Sequence, residues 1–280
     1  MKRPVSSRIH KAYFRNGEDH RAGADVSFAD IVKIFGFRGI EVGRWVSKEE
    51  QQIAANLFFD ALCDLMDILQ VPETVISLKG TLALAFGVGG QKYVCAHYNS
   101  AKRQLALAKN AGGGALAHEW FHAFDHYISS HVFMVNAPNQ FASELWLNDS
   151  ASTVEHPLNQ KLARAFGAMF LNDAGTGPNE LVKFSVMADK ARGSFYYARP
   201  QELAARAFES VIEYQVTKNA FLVDGALDAE VLALDPRYQN ARARISDEAK
   251  FGIYPKQDRL MQIQHYLFEH FYQLGLALKS

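Results

Sequence analysis

The sequence contains few cysteines and no excess of charge of either sign. Its 280 residues include two cysteines, Cys63 and Cys95, and neither lies in a CxxC or CxxH pattern. This argues against a disulfide scaffold and against a cysteine-based metal knot. The 30 basic residues balance the 30 acidic residues, so the chain lacks the field that attracts nucleic acids or anionic membranes. We expect a protein of a reducing compartment that has no specific nucleic-acid partner and recognises its partners locally.

Long apolar runs are also missing. The longest apolar stretches, such as residues 81–88 and 132–135, are far shorter than the roughly 20 residues that cross a bilayer. The first 21 residues include several basic side chains but no apolar core of the kind found in secretory signals. We therefore predict a cytoplasmic protein that does not enter a membrane and that begins with a flexible arm over residues 1–26.

The sequence does contain enough apolar material for a sizeable core, since 49% of its residues are hydrophobic. No repeat, low-complexity tract or Pro/Ser-rich linker divides the chain. We predict a single domain over residues 27–280.

The spacing of the apolar residues predicts an α+β fold. Ser27 is a candidate cap for a short helix, and Ser47 with Glu50 forms a capping-box pattern before a long helix that ends near Pro72. Short apolar runs then predict a small mixed sheet, backed by the Ser47 helix, with strands at residues 75–78, 82–86, 93–98 and 104–108. After glycines 112–114, helices are predicted at residues 115–128, 157–171, 180–191, 200–216 and 256–278.

A metal-binding pattern lies in the helix predicted at residues 115–128. His118 and His122 are four residues apart, so both imidazoles project from one helix face and can bind one ion. Glu119 lies beside His118, where it can reach a metal-bound water without binding the metal, as a general base must. This spacing favours Zn²⁺. Apolar residues cover the other faces of the helix, which argues against two ordinary core histidines.

Further polar residues can complete such a site. Asp125 shares the face of the two histidines and can accept a hydrogen bond from the second nitrogen of a ligand. Catalytic zinc needs a third protein ligand and keeps one position open for water. The third histidine of the extended metzincin pattern is absent, so we expect a carboxylate from a later helix. Spacing leaves three candidates open: Glu144, Glu202 and Glu209.

Four segments together resemble a known family. Residues 35–46, 80–87, 118–127 and 199–209 resemble the zincin-like metallopeptidase domain of the large polyvalent proteins of phages and conjugative elements. They also resemble freestanding relatives of the protease domain of calcium-activated chloride channel regulators. The resemblance covers roughly residues 27–217. It implies a zincin-like fold, with a small mixed sheet, a backing helix and an active-site helix followed by a mainly helical lower half.

A second resemblance implies a third ligand. Residues 201–208 resemble the third-ligand helix of the anthrax lethal factor class, which implies that Glu202 completes a gluzincin-like site and that Tyr196 or Tyr197 stabilises the transition state. The pattern alone is more typical of a solvated stripe, because charged residues recur on one face of this helix. Arg206, one turn after Glu202, is expected to orient Glu202 or to pair with Glu209.

We therefore predict a hydrolase, a zinc metallopeptidase that acts on a peptide or protein substrate. The strand at residues 93–98 is expected at a sheet edge, where it would pair with an extended substrate. The alternative is a catalytically silent, zinc-stabilised binding module of mobile genetic elements. Hydrolysis of a non-peptide amide or ester is a third possibility, because the motif specifies the nucleophile and not the leaving group.

Overall fold

The structure is a computed structural model that describes residues 8–88, 96–108, 113–134, 139–148, 151–234 and 251–279. Cys95 and the first residues of the strand predicted at 93–98 lie outside the described residues. The chain divides into two compact units, the first of residues 1–123 and 216–224 and the second of residues 124–215 and 225–280. The prediction of a single domain over residues 27–280 stays a prediction.

The first unit combines helices with a four-stranded sheet. A 3-10 helix, Arg8–His10, precedes α1 (Phe28–Phe35), β1 (Ile40–Val42), α2 (Lys48–Leu69), α3 (Glu73–Ile76), β2 (Ala83–Phe86), β3 (Ala96–Asn99), β4 (Gln104–Leu107) and the start of α4 (Leu116–Val132). The strand order is β1-β2-β4-β3. The β1–β2 and β2–β4 pairs are parallel and the β3–β4 pair is antiparallel. The predicted α+β class with a small mixed sheet is confirmed, and β3 lies at an edge of the sheet.

The predicted caps of the first two helices are present. Ser27 and Asp30 form a capping box at α1, and Ser47 and Glu50 form one at α2. Each box satisfies backbone N–H groups that the first helical turn leaves without partners.

The strand predicted at residues 75–78 is wrong. Val75 and Ile76 instead end α3, which starts after Pro72. Both side chains are buried, at 5% and 0% exposed. A four-residue segment with three apolar residues does not distinguish a buried strand from one buried helical turn, and Pro72 favours a helix start.

Residues 8–26, part of the predicted flexible arm, pack against α2. Ile9 is 2% exposed. Arg15 donates two hydrogen bonds to Asp64 of α2, at 2.6 and 2.7 Å, and His20 lies 3.0 Å from the same carboxylate. Arg21 pairs with Asp60 at 3.0 Å. The arm is therefore held in the first unit by the burial of Ile9 and by polar contacts of Arg15, His20 and Arg21 with α2.

Residues 216–224 complete the first unit and support the start of α4. The N–H groups of Gly114 and Ala117 donate to the carbonyls of Phe221 and Leu222, at 2.8 and 3.0 Å. Asn219 donates to Asp64 at 2.7 Å. Gly113 lies so close to this segment that a Cβ there would be 2.5 Å from the Cα of Phe221. A glycine is therefore required where the chain enters α4.

The second unit is helical in its described residues. It contains the rest of α4, then α5 (Ala142–Trp146), α6 (Pro157–Phe170), α7 (Glu180–Arg192), α8 (Pro200–Tyr214), α9 (Ala229–Leu234) and α10 (Gln257–Lys279). The four longer helices match the predicted ones to within two residues at each end. The sequence did not predict α5 and α9, whose five or six residues are too few for a helical period to emerge.

No helix in the described part of the chain has the length and apolar character needed to span a membrane.

Candidate metal centre

Two helices contribute potential metal ligands that converge. Ligand atoms of His118 and His122 on α4 and of Glu202 on α8 all lie within 4.8 Å of one another. Neither Glu144 nor Glu209, the other two candidates, belongs to this group or to another such group among the described residues.

The two histidines face each other across one helical turn. The Nε2 atoms of His118 and His122 lie 3.0 Å apart, and the ring planes are inclined at 79°. His122 is 7% exposed. Residues four apart share a helix face, so the α4 backbone alone brings the two imidazoles together.

The remaining faces of α4 fix its rotation about its own axis. Leu116, Ala117, Trp120 and Phe121 have no exposed surface. The indole Nε1 of Trp120 donates to the carbonyl of Ile76 at 2.9 Å. Since a buried indole and its hydrogen bond would both be lost if the helix rotated, the histidine face keeps one direction.

Glu119 is held by the edge strand of the sheet. The backbone N–H of Tyr98, in β3, donates to Glu119 Oε2 at 2.6 Å. A backbone hydrogen bond to a carboxylate is charge-assisted and short. The Tyr98 side chain is half-buried, and desolvation raises its pKa to about 12. One oxygen of Glu119 thus has a fixed position next to β3.

Asp125, predicted to support a ligand histidine, is fully buried. Its carboxylate accepts hydrogen bonds from the N–H and the hydroxyl of Ser143, at 2.8 and 2.5 Å. These bonds join α4 to the start of α5. The hydrogen bond that Asp125 was predicted to accept from a ligand histidine stays a prediction.

The two candidate tyrosines differ in exposure. Tyr196 is 45% exposed, whereas Tyr197 is 6% exposed. The guanidinium groups of Arg192 and Arg206 lie over the Tyr197 ring, 5.3 and 5.4 Å from its centroid. Tyr196 is therefore the tyrosine whose side chain reaches the surface.

Arg206 is buried, at 3% exposed. It donates to the carbonyl of Tyr197 at 2.5 Å, to the hydroxyl of Ser185 at 3.1 Å and to the carbonyl of Ile253 at 3.2 Å. Desolvation lowers the pKa of Arg206, while electrostatic interactions with Tyr254, Glu202 and Glu209 raise it by less. Its expected role, to orient Glu202 or to pair with Glu209, stays a prediction.

Asp189, on α7, is a residue that the sequence reasoning missed. It accepts hydrogen bonds from the backbone N–H groups of Tyr196, Tyr197 and Ala198. A signal existed, because a carboxylate in the last turn of a helix is unfavourable next to the negative end of the helix dipole. Its presence at that position indicates a compensating set of donors.

Part of this region matches a family. Residues 188–278 match the family model described as large polyvalent protein-associated domain 1. The match includes Glu202, the whole of α8 and all of α10 except its last residue. It covers about a third of the chain, so the predicted likeness to large polyvalent proteins is confirmed for that part. The likeness to a zincin protease stays a prediction. No curated protein and no solved structure matches the chain.

Proposed function

We propose that this chain is a zinc-dependent hydrolase, and specifically a metallopeptidase, in which His118, His122 and Glu202 hold Zn²⁺. The convergence of their three ligand atoms within 4.8 Å is the observation that supports the proposal most directly. Two imidazoles and one carboxylate are a common ligand set of catalytic zinc, which keeps its fourth position open.

The separation of the two histidine nitrogens fits such an ion. Two nitrogens that bind one tetrahedral zinc, each at about 2.0–2.1 Å, lie about 3.3 Å apart. The observed separation of His118 Nε2 and His122 Nε2 is 3.0 Å. A shift of a few tenths of an ångström would therefore bring the two imidazole nitrogens to the separation that zinc requires.

When bound, zinc would polarise the scissile carbonyl and lower the pKa of a bound water to about 7. Glu119 takes the proton of the attacking water and delivers it to the leaving nitrogen. The N–H of Tyr98 holds Oε2 of Glu119 at 2.6 Å, which limits the carboxylate to a small range of positions. Such a restriction keeps the base oriented before the substrate arrives.

Tyr196 is the better of the two tyrosines for stabilising the oxyanion. Tyr196 is 45% exposed and can approach a substrate, whereas Tyr197 is buried, with two guanidinium groups over its ring. A phenolic O–H directed at the developing oxyanion strengthens as negative charge accumulates there.

A peptide is the substrate class that the sheet favours. β3 lies at the edge of the described sheet, and Tyr98 in this strand contacts the proposed base. An edge strand pairs with an extended peptide through backbone hydrogen bonds. Since the Tyr98 N–H already donates to Glu119, we expect neighbouring backbone groups of β3 to pair with the substrate.

Metal analysis combined with one variant tests the proposal. We expect the purified protein to contain about one zinc per chain and to cleave members of a fluorogenic peptide library. Glu119→Gln should retain the zinc and lose the cleavage, because an amide cannot take the proton of water. Glu144→Gln is the matched control and should keep both. A protein that takes up no zinc, or a Glu119→Gln variant that cleaves as fast as the parent, would contradict the proposal.

A zinc-stabilised binding module is the second candidate. The match of residues 188–278 to a domain associated with large polyvalent proteins favours it, because a domain of a multifunctional protein can serve as a docking module. In that case removal of zinc would lower the thermal stability, while Glu119→Gln would leave binding unchanged. The comparison of Glu119→Gln with the parent separates the two candidates.

A further inference from the structure

The loop between α7 and α8 is fixed by one buried carboxylate. Asp189 is 5% exposed. Its Oδ1 accepts hydrogen bonds from the hydroxyl of Ser194 at 2.9 Å and from the N–H groups of Tyr196 and Tyr197 at 2.9 and 3.0 Å, and its Oδ2 accepts one from the N–H of Ala198 at 2.8 Å. Three consecutive peptide units therefore direct their N–H groups at a single side chain.

These hydrogen bonds compensate for the unfavourable position of the Asp189 charge. Asp189 lies in the last turn of α7, where the helix dipole disfavours an anion. Desolvation raises its pKa, but the hydrogen bonds from Tyr196, Ala198, Tyr197 and Ser194 outweigh it and lower the pKa overall. The carboxylate thus stays ionised at neutral pH, and the ionised form accepts all four hydrogen bonds.

A buried cation holds the same loop from the carbonyl side. Arg206 donates to the carbonyl of Tyr197 at 2.5 Å, and its other hydrogen bonds connect it to Ser185 and Ile253. The backbone around Tyr197 is therefore fixed through its N–H by an anion and through its C=O by a cation. With the backbone fixed, the Tyr196 side chain is restricted to the few rotamers that its φ and ψ allow.

We propose that Asp189 is a positioning residue that fixes the loop at residues 194–198 and thereby the position from which the Tyr196 hydroxyl donates a hydrogen bond to the oxyanion. This inference rests on the proposed function. It adds to that function a residue that touches neither substrate nor metal. Loss of Asp189 lets the loop sample several conformations, of which a fraction presents Tyr196 correctly, so the rate of the chemical step falls while ground-state binding persists.

Substitutions that disrupt different numbers of the hydrogen bonds to residue 189 can test this role. Asp189→Asn is isosteric, but its amide NH₂ must face the N–H of Ala198 or those of Tyr196 and Tyr197, and either orientation sets donor against donor. Ser194→Ala removes one of the four hydrogen bonds and should have a small effect. Asp228→Asn is the matched control, because Asp228 is also buried in this unit, at 4% exposed, and accepts from the backbone of Glu230 rather than from the tyrosine loop.

Activity is measured as kcat and KM separately, together with zinc content. We expect Asp189→Asn to lower kcat by about 10 to 100-fold, the loss typical of a displaced catalytic group, with KM within about twofold and zinc retained. In the Tyr196→Phe background the same substitution should lower kcat by less than about twofold, because no phenol is left to position. An equal loss with and without Tyr196 would overturn the proposal.

A second readout does not depend on hydrolysis. In protein labelled with 3-fluorotyrosine, the ¹⁹F resonance of Tyr196 is assigned as the one missing from Tyr196→Phe. Asp189→Asn should broaden or shift this resonance, whereas Asp228→Asn should leave it in place. An unchanged Tyr196 resonance in Asp189→Asn would refute the positioning role. If the parent cleaves no peptide, the proposed function fails while this measurement still decides the role of Asp189.

Discussion

A fall in pH should destabilise the second unit through His270. This residue of α10 is 2% exposed, and its Nδ1 lies 3.0 Å from the carbonyl of Leu158. Desolvation lowers its pKa to about 4, against a smaller raising effect of the Leu158 hydrogen bond, and the positive charge of Lys161 lowers it further. Since the ordinary pKa of histidine is about 6.5, the folded chain takes up this proton at a lower pH than the unfolded chain.

The direction and the size of the change in the free energy of unfolding follow from the difference between these two pKa values. Between pH 6.5 and 4 the unfolded state binds the proton and the folded state does not, so the free energy of unfolding falls as the pH falls through this range. At pH 4.5 the two pKa values correspond to a loss of about 2.5 kcal/mol relative to pH 7.5. Buried carboxylates with lowered pKa values, such as Asp189, lose their contribution mainly below pH 4 and so interfere little.

Urea unfolding followed by circular dichroism at pH 7.5, 6.0 and 4.5 measures this loss. His270→Gln keeps a hydrogen-bond donor for Leu158 but does not titrate. Between pH 7.5 and 4.5 its free energy of unfolding should therefore fall by about 2.5 kcal/mol less than that of the parent. His265→Gln, an exposed histidine on the same helix, is the control and should behave like the parent. Equal losses in the parent and in His270→Gln would refute the reasoning.

The site and the first unit supply further predictions. Glu202→Ala should weaken zinc binding by more than about 100-fold, and Glu209→Ala by less than about 10-fold, as measured by competition with a zinc chelator. Tyr98→Pro should reduce hydrolysis and retain zinc, because proline lacks the N–H that holds the proposed base, whereas Tyr98→Phe should match the parent in a peptidase assay. Asp64→Ala should lower the free energy of unfolding by about 3–5 kcal/mol in urea, because it leaves a partly buried guanidinium without its anion. Asp67→Ala, at an exposed side chain, should cost less than about 1 kcal/mol in the same assay.

Local signals made much of the fold predictable. The capping boxes at Ser27 and Ser47 are patterns of four residues, and both helices start there. The spacing of His118 and His122 follows from one helical turn, so the sequence alone predicts that the two imidazoles converge. Such features depend only on residues that are close in sequence, so they can be predicted without information about distant segments.

Features that depend on distant segments were not predictable in the same way. The charged stripe of α8 is typical of a solvated face, yet Arg206 and Glu209 are 3% and 7% exposed. A stripe of charged residues on a helix does not distinguish a face exposed to water from a face packed against buried polar groups. Asp64 is a further example, because its partners Arg15 and Asn219 lie 49 and 155 residues away. The choice of Glu202 came from resemblance, since spacing carries no information about which later helix approaches α4.

Residues 216–224 belong to the first unit but are synthesised after most of the second unit has begun to emerge, which has a consequence for folding on the ribosome. The 92 residues from 124 to 215 must be translated between the two parts of this unit, which takes roughly 5 to 20 seconds at 5–20 residues per second. During that interval the carbonyls of Phe221 and Leu222 do not yet exist, so the N–H groups of Gly114 and Ala117 lack their acceptors and the first turn of α4 is expected to fray. Glu202 emerges before these acceptors do. The nascent chain therefore contains all three proposed metal ligands before the helix of His118 and His122 receives its final support.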